Sequence, residues 1–404
     1  MIKVSDRANN MQASPIRKLV PFADKARARG IKVIPLNIGQ PDIPTPTPIL
    51  EAMKNYNTKV LAYCPSQGEE GLLKAFSKYY HNINIDIEPE DIIVTTSGSE
   101  AIYFAMLAVC DVGDEIIVFE PFYTNYGGIA TQTGINLKAV RTFPQTGFHL
   151  PSKETIEKAI TTKTKAILIC NPNNPTGTVY SENELKMLAE IAYEHNIFLI
   201  SDEVYREFIY DGQKHTSIME FKNYSNNLIL VDSISKRYSV CGARIGLIAS
   251  KNKSVIESSL KFAQARLSSP TIEQVGAKAG LEMDTAYFKP ILEEYQKRRD
   301  AIMEGLKNIP RVVCEIPGGA FYCIAKLPVN NAEDFAKWLL TDFNYEGETV
   351  LVAPAEGFYL TEGLGTDEVR LSYVLEVPKL KRAMEILGVA IKEYQAICPV
   401  EIAA

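Results

Sequence analysis

NLILVDSISKRYSVCGARIGLIAS, residues 227–250, reads as an apolar run, a polar loop and a second apolar run. The flanking runs, NLILVD and ARIGLIAS, are short and almost wholly apolar, the pattern of strands buried on both faces of a sheet. Between them sits Lys236, with Ser235 one residue before it, Ser233 three before and Arg244 eight after. A lysine at the mouth of a buried strand is ordinarily a solvated end-cap. An amine, two hydroxyls and a guanidinium grouped at a strand end also suit an anion held beside a reactive amine.

Five further runs, DIIVTT, EIIVFE, NLKAVR, KAILIC and IFLISDE, carry the same strand signature upstream. Amphipathic stretches such as SEAIYFAMLAVC and SENELKMLAEIAYEHN, apolar at three- and four-residue intervals, alternate with them. Strands alternating with helices predict a mainly parallel sheet covered on both faces, here over residues 45–285. The long charged helix YFKPILEEYQKRRDAIMEGLKN then leads into a different texture. There VVCEIPGGAFYCIAKL, TVLVAPAEGF and EVRLSYVL read as strands, packed with the helices AEDFAKWLLTDF and KLKRAMEILGVAIKEYQ. The expected class is α/β: a seven-stranded, mainly parallel sheet in a large domain, plus a smaller α+β domain over 286–404. Residues 1–44 are expected to form an N-terminal arm and part of that small domain.

Composition excludes several function classes. The net charge of −6 and the lack of a Lys/Arg-rich run leave no electrostatic footprint for nucleic acid. The first residues lack the apolar core of a signal peptide, and no apolar segment is long enough to span a bilayer. Seven cysteines without a C-x-x-C pair fit a reducing compartment, and four histidines show no metal-ligand spacing. The expectation is a cytoplasmic protein with no metal, no nucleic acid partner and no membrane partner.

In open α/β sheets ligands bind beyond the carboxyl ends of the strands, and four such ends carry unusual residues. VTTSGSEAI passes from strand to helix through Ser97-Gly98-Ser99, where free N–H groups and the helix dipole favour an anion; a plain serine cap is the simpler reading. CNPNNPTG, residues 170–177, imposes a rigid turn that could fix an Asn side chain, or serves only as a sharp loop. In ISDEVY, Asp202 ends an apolar run, so it is either a cap or the partner of a buried positive group. The fourth end is Lys236 with its serines and Arg244. Pyridoxal phosphate needs an amine for its aldehyde, a carboxylate for its ring nitrogen, anion donors for its phosphate and an aromatic face against its ring. Lys236, Asp202, the Gly98 helix start with Ser233 and Arg244, and Tyr123 of EPFYTNY supply those four in one chain order.

The sequence resembles the fold-type I pyridoxal-phosphate aminotransferases, class I/II, of the aspartate aminotransferase superfamily. The motifs LNIGQPDIPTP, YCPSQGEEGLLKA, TSGSEAI, NPNNPTG, SDEVY, S-x-S-K-x(7)-R-x-G and EVRLSY carry the resemblance from about Ser14 almost to the C-terminus. It implies that Lys236 is the Schiff-base lysine and general base, and that Asp202 pairs with the pyridine nitrogen. Tyr205 and Asn174 would hydrogen-bond the ring hydroxyl. Gly98, Ser99, Ser233, Ser235 and Arg244 fall on phosphate-binding positions, and Tyr123 on the position that stacks against the ring. The resemblance also implies a homodimer with shared active sites, in which Tyr63 reaches the neighbouring subunit's phosphate. Arg370 matches the arginine that grips the substrate α-carboxylate, and Gly39 lies where the N-terminal segment closes over substrate.

The implied reaction moves an amino group from an L-amino acid, with aspartate favoured by analogy, to a 2-oxo acid such as 2-oxoglutarate. Alanine, aromatic or branched-chain donors, or a β-lyase reaction on the same fold, remain alternatives. Ser99 stands where some aspartate-using members place a lysine, and Arg266 is either a side-chain-carboxylate ligand for the neighbouring site or a solvated helix-end arginine. A ligand-sensing regulator would need a DNA-binding module that the residues before Ser14 are too few to form. The resemblance also leads us to expect a cis peptide at Asn174–Pro175, with Glu120–Pro121 as a second candidate.

Overall fold

The computed structural model describes residues 2–399. The first strand, β1 (Lys32–Pro35), lies outside the main sheet. The next seven are the seven runs read from the sequence: β2 (Ile92–Thr95), β3 (Glu115–Glu120), β4 (Asn136–Arg141), β5 (Thr164–Cys170), β6 (Phe198–Asp202), β7 (Leu228–Ser233) and β8 (Gly246–Ala249). They form one sheet in the order β2-β8-β7-β6-β5-β3-β4, in which only β8 runs against its neighbours.

Successive residues of a strand face opposite sides of the sheet. In β7, Leu228 and Leu230 enter one apolar core with Ile117, Ile167 and Leu199, while Ile229 and Val231 enter the other with Ile116, Leu168 and Ile200. Both faces are therefore dry, which is why these runs are continuously apolar instead of alternating. Helices supply the cover, and their starts follow local chemistry. Ser181 caps the helix Glu182–Glu194 by accepting from Glu184 N, and the Glu184 carboxylate accepts from Ser181 N in return.

Past the helix Phe288–Lys307 come β9 (Tyr322–Lys326), β10 (Glu348–Leu351), β11 (Ala353–Pro354) and β12 (Glu368–Ser372). β11, β12 and β9 make an antiparallel sheet in that order, and β10 pairs in parallel with β1. β1 is not among the strands expected from the sequence. It is four residues long, too short to show a period, and its partner lies far along the chain. Its pairing stitches the N-terminal segment to the C-terminal part of the molecule.

One local expectation is corrected. Glu120–Pro121 is cis as expected, but the second cis bond is Asn171–Pro172 and not Asn174–Pro175. NPNNPTG contains two Asn-Pro steps with the same local signature, and the motif alone does not separate them.

Candidate active site

β2, β3, β5, β6 and β7 point the same way, so their carboxyl ends share one edge; Cys170 and Asp202 are paired in register there. A cavity of about 560 Å³ opens at that edge. The sequence-predicted residues Gly39, Gly98, Ser99, Tyr123, Asn174, Asp202, Tyr205, Ser233, Ser235, Lys236, Arg244 and Arg370 all line it.

Lys236 is placed by the end of β7. The Ser233 hydroxyl accepts from Ser235 N at 3.2 Å, lies 2.9 Å from the Ser235 hydroxyl and donates to the Ile245 carbonyl at 2.8 Å. These bonds close the short helix Ile234–Arg237. Its two basic residues diverge. Lys236 is half-buried and its Nζ donates to the Gly39 carbonyl at 2.9 Å, with Cys241 Sγ at 3.8 Å. Arg237 is turned into the core between Asp232 at 2.5 Å and Glu207 at 3.2 Å. Tyr80 donates to the same Asp232 carboxylate at 2.8 Å. The lysine thus stands on a helix whose next residue is fastened by buried ion pairs.

Asp202 ends β6 and is buried. Burial pushes its carboxyl up to about 6, against hydrogen bonds that favour the carboxylate from Tyr126 Oη at 2.9 Å and Val204 N at 3.3 Å. It makes no ion pair within 4.0 Å among the described residues. Tyr205 Oη lies 3.0 Å from Tyr322 Oη, and Tyr322 donates to the Gly39 carbonyl at 3.4 Å. The approach is so close that a Cβ at Gly39 would stand 1.8 Å from Tyr322 Oη. Glycine is required there by space.

Another wall is built where β2 enters the helix Ser97–Val109. Thr96 makes no side-chain cap there, Ser99 N donates to the Ser97 hydroxyl at 3.3 Å, and Ser97, Gly98 and Ser99 line the cavity at the positive end of the helix dipole. Gly98 itself is not forced by the surrounding protein, because a Cβ would meet Ser233 Cβ at an ordinary 3.7 Å. Gly246 is forced: a Cβ there would lie 2.5 Å from Ser97 C and 2.7 Å from Gly98 N. Arg244, two residues before it, sits in the left-handed region at φ 56°. Its guanidinium donates to the Cys241 carbonyl at 3.0 Å and to the Ser97 hydroxyl.

Arg370 comes from β12, opposite Ile324 of β9 and Ala353 of β11. It is buried, yet makes no ion pair among the described residues. One Nη donates to Asn174 Oδ1 at 3.0 Å, the other to the Asn37 carbonyl at 2.5 Å, and Nε has no partner. The Tyr322 and Phe358 rings lie 4.5 Å and 5.0 Å from the guanidinium carbon. Tyr123 closes another wall, edge-on to Tyr126 at 5.5 Å, and burial pushes its hydroxyl up to about 12.

Tyr63 is not brought to this cavity; it is 79 % exposed on a loop tied to the helix Thr271–Leu281 through Cys64 and Ala62. Arg266 is also outside the cavity lining. It donates to Ser269 Oγ at 3.0 Å and the Val94 carbonyl at 3.1 Å, and it faces Glu100 at 3.3 Å. Sequence reading missed Tyr322, Tyr126, Cys170, Cys241, Asn37 and Arg17. Only Tyr126 had a local signal, its place three residues after Tyr123 in the aromatic stretch EPFYTNY. At the surface, His81, Asp86 and Glu88 bring ligand-type atoms within 4.8 Å of one another. Asp86 already faces Lys222 at 3.6 Å and Lys251 at 3.8 Å, which offset the charge that would attract a cation.

Comparison with known proteins finds relatives over nearly the whole chain. The profile of aminotransferase class I and II matches residues 31–387. An aspartate aminotransferase of Bacillus subtilis (strain 168) is 32 % identical, over 95 % of this chain and 98 % of that one. The structure of aspartate aminotransferase from Thermus thermophilus with maleate superimposes with a TM-score of 0.88 at 30 % identity, over 96 % of this chain and all of that one. An alanine aminotransferase from Pyrococcus furiosus gives a TM-score of 0.87 at 32 % identity, over 97 % of this chain.

Proposed function

This chain belongs to the class I and II aminotransferases, and from that premise we propose that it carries pyridoxal 5′-phosphate on Lys236 and transfers the amino group of an L-amino acid, aspartate first, to a 2-oxo acid such as 2-oxoglutarate. One observation carries the reading: Lys236 lies in one cavity with a buried acid lacking a cationic partner, Asp202, and a buried guanidinium lacking an acid partner, Arg370. Unpaired charges in a protein interior are strongly unfavourable, so both residues suit charges that a ligand brings. The shared cavity is also of a size for cofactor and substrate together.

When bound, the cofactor supplies an electron sink for the bond broken at the substrate Cα. Asp202 would keep a proton on the ring nitrogen. Tyr205 and Asn174 would reach the ring hydroxyl, and Tyr123 would lie against the ring face. Gly98 and Ser99 at the helix start, with Ser233, Ser235 and Arg244, would hold the phosphate. Lys236 would be the general base that takes the proton from the substrate Cα and delivers it to the acceptor carbon. Arg370 fixes the α-carboxylate with two parallel hydrogen bonds, Asn174 beside it, and Gly39 closes the arm over the site.

Two wider readings go with it. Tyr63 is exposed beside Val60 and Leu61, 72 % and 60 % exposed, an apolar loop that supports a homodimer in which each chain lends Tyr63 to the other's phosphate. All seven cysteines are unpaired, which supports a cytoplasmic setting. The division into 1–44, 45–285 and 286–404 is kept as the domain reading.

The test mixes holoenzyme with single amino acids while the cofactor absorbance is followed. Borohydride reduction and peptide mapping should then place the pyridoxyl label on Lys236. A label on another lysine sinks the site assignment. Amino-acid consumption without an oxo-acid acceptor makes the enzyme a lyase.

A further inference from the structure

Glu120 ends β3 and is 1 % exposed, yet it does not line the cavity. Among the described residues no lysine, arginine or histidine nitrogen lies within 4.0 Å of its carboxylate. A buried carboxylate without a counterion is strongly unfavourable unless hydrogen bonds replace the water it has lost. Three donors do so, and all come from one loop. Leu360 N at 3.0 Å and Thr361 N at 3.1 Å donate to Oε2, and the Thr361 hydroxyl donates to Oε1 at 2.6 Å. Phe122 N, two residues after Glu120, donates to the Phe358 carbonyl of the same loop at 2.9 Å.

That loop joins β11 to β12, the strand that carries Arg370. Its Phe358 side chain is fully buried but belongs to neither large core; it packs in a small cluster with Phe148, Ile324 and Ala355. Its ring lies 5.0 Å from the Arg370 guanidinium carbon, and the Tyr322 ring lies at 4.5 Å. With no carboxylate beside it and Nε unpartnered, the guanidinium is oriented by Asn174, the Asn37 carbonyl and these two rings. Tyr322 is fixed within the site through Tyr205. Phe358 is fixed from outside it, through the loop that Glu120 fastens.

We infer that Glu120 is a positioning residue for Arg370: by fastening residues 358–361 to the end of β3, it holds the Phe358 ring against the guanidinium and sets the plane in which Arg370 meets a substrate carboxylate. This rests on the aminotransferase reading for the identity of that carboxylate. An arginine that grips the same carboxylate before and during the reaction contributes uniform binding, so loosening it raises KM and leaves kcat nearly unchanged. Lys236, Asp202 and Arg244 stand on β6, β7 and the link to β8, away from this loop, so cofactor affinity should hold.

The test is Glu120→Ala in the holoenzyme. KM for the amino donor should rise roughly tenfold or more, the worth of one charge-assisted hydrogen bond. The dissociation constant of pyridoxal 5′-phosphate and kcat should stay within about twofold of wild type. Glu120→Gln should stay near wild type, because its oxygen can accept from both N–H groups and its NH2 can donate to the Thr361 hydroxyl. Thr361→Val, which removes one donor only, reads the same quantities if Glu120→Ala does not fold. Phe358→Leu should also raise KM, and adding Glu120→Ala to it should raise KM little further, since both act through one ring. Equal losses in KM and cofactor affinity, or single effects that multiply in the double variant, overturn the proposal. A second readout needs no turnover: phenylglyoxal should modify Arg370 faster in Glu120→Ala than in wild type, by peptide mapping, with buried Arg237 as the unchanged control. An unchanged rate at Arg370 overturns the proposal as well. Wild-type enzyme that turns over no amino acid would instead refute the parent reading, and the phenylglyoxal rates would still decide Glu120.

Discussion

Asp202→Asn separates what stabilises the fold from what the chemistry needs. The substitution keeps the shape of the side chain and removes the ionisable group: Oδ1 still accepts from Val204 N, and the amide nitrogen in place of Oδ2 can donate to Tyr126 Oη, which donates to the carboxylate in the wild type. Burial holds that carboxyl at about 6, against 3.8 for a solvated one. Between those values the folded apoprotein retains a proton that the unfolded chain has released, so stability falls as pH rises through the window, the reverse of a salt-bridged carboxylate. The full loss is about 3 kcal/mol above pH 7, and about 1.5 kcal/mol is already gone at pH 5. Asn carries no such penalty. Cofactor-free Asp202→Asn should therefore resist urea better than cofactor-free wild type, by about 3 kcal/mol at pH 8 and about 1.5 kcal/mol at pH 5. Glu203, which burial pushes up to about 7, titrates in both proteins and cancels. Holoenzyme should show the opposite ranking in turnover, with the variant roughly 10²–10³-fold slower because the preorganised charge at the ring nitrogen is lost. A difference between the apoproteins that ignores pH would refute the burial argument. Near-normal turnover would refute the role.

Two further outcomes are expected. Arg237→Met should destabilise the apoprotein by about 3–5 kcal/mol in urea, because Asp232 is left buried without its counterion; a loss below about 1 kcal/mol would show that Tyr80 and Ser233 N together satisfy Asp232. Tyr63→Phe and Lys236→Ala, each impaired alone, should recover toward half of wild-type activity when reassembled as mixed dimers, since both defects then fall in one site; no recovery would mean that Tyr63 serves its own chain.

Much of this molecule is written locally. The seven strands of the main sheet are legible because burial on both faces makes each a short, unbroken apolar run, and their ends carry the residues that line the cavity. Lys236, Asp202 and Arg244 were readable since a strand end, a loop and a charge follow one another in the chain. Tyr322, Asn37 and Arg17 were not. Tyr322 acts through Tyr205 and Gly39, and Asn37 through Arg370 and Ile16, neighbours remote in sequence. No periodicity encodes such meetings. β1 was lost for the same reason, its strand character coming from β10 and not from its own four residues. The choice between two Asn-Pro steps failed because identical dipeptides differ only in where β5 stops.

The reversed strand β8 has a consequence for how the site comes together. A parallel β8 would need a crossover of a dozen or more residues to carry the chain back across the sheet before it could pair with β7. Reversal makes the connection a simple return, and the whole link from Ile234 to Ile245 stays at the ligand edge. Lys236 and Arg244 are thus fixed relative to each other by a short closed loop, whose closure entropy is small. Asn174 and Arg370 meet only when a loop of 196 residues has closed. Lys236 and Arg244 travel as one peptide, while Asn174 and Arg370 form a joint between distant parts of the chain. Slackening between the three-stranded sheet and the main one would open that joint and leave the Lys236–Arg244 loop whole.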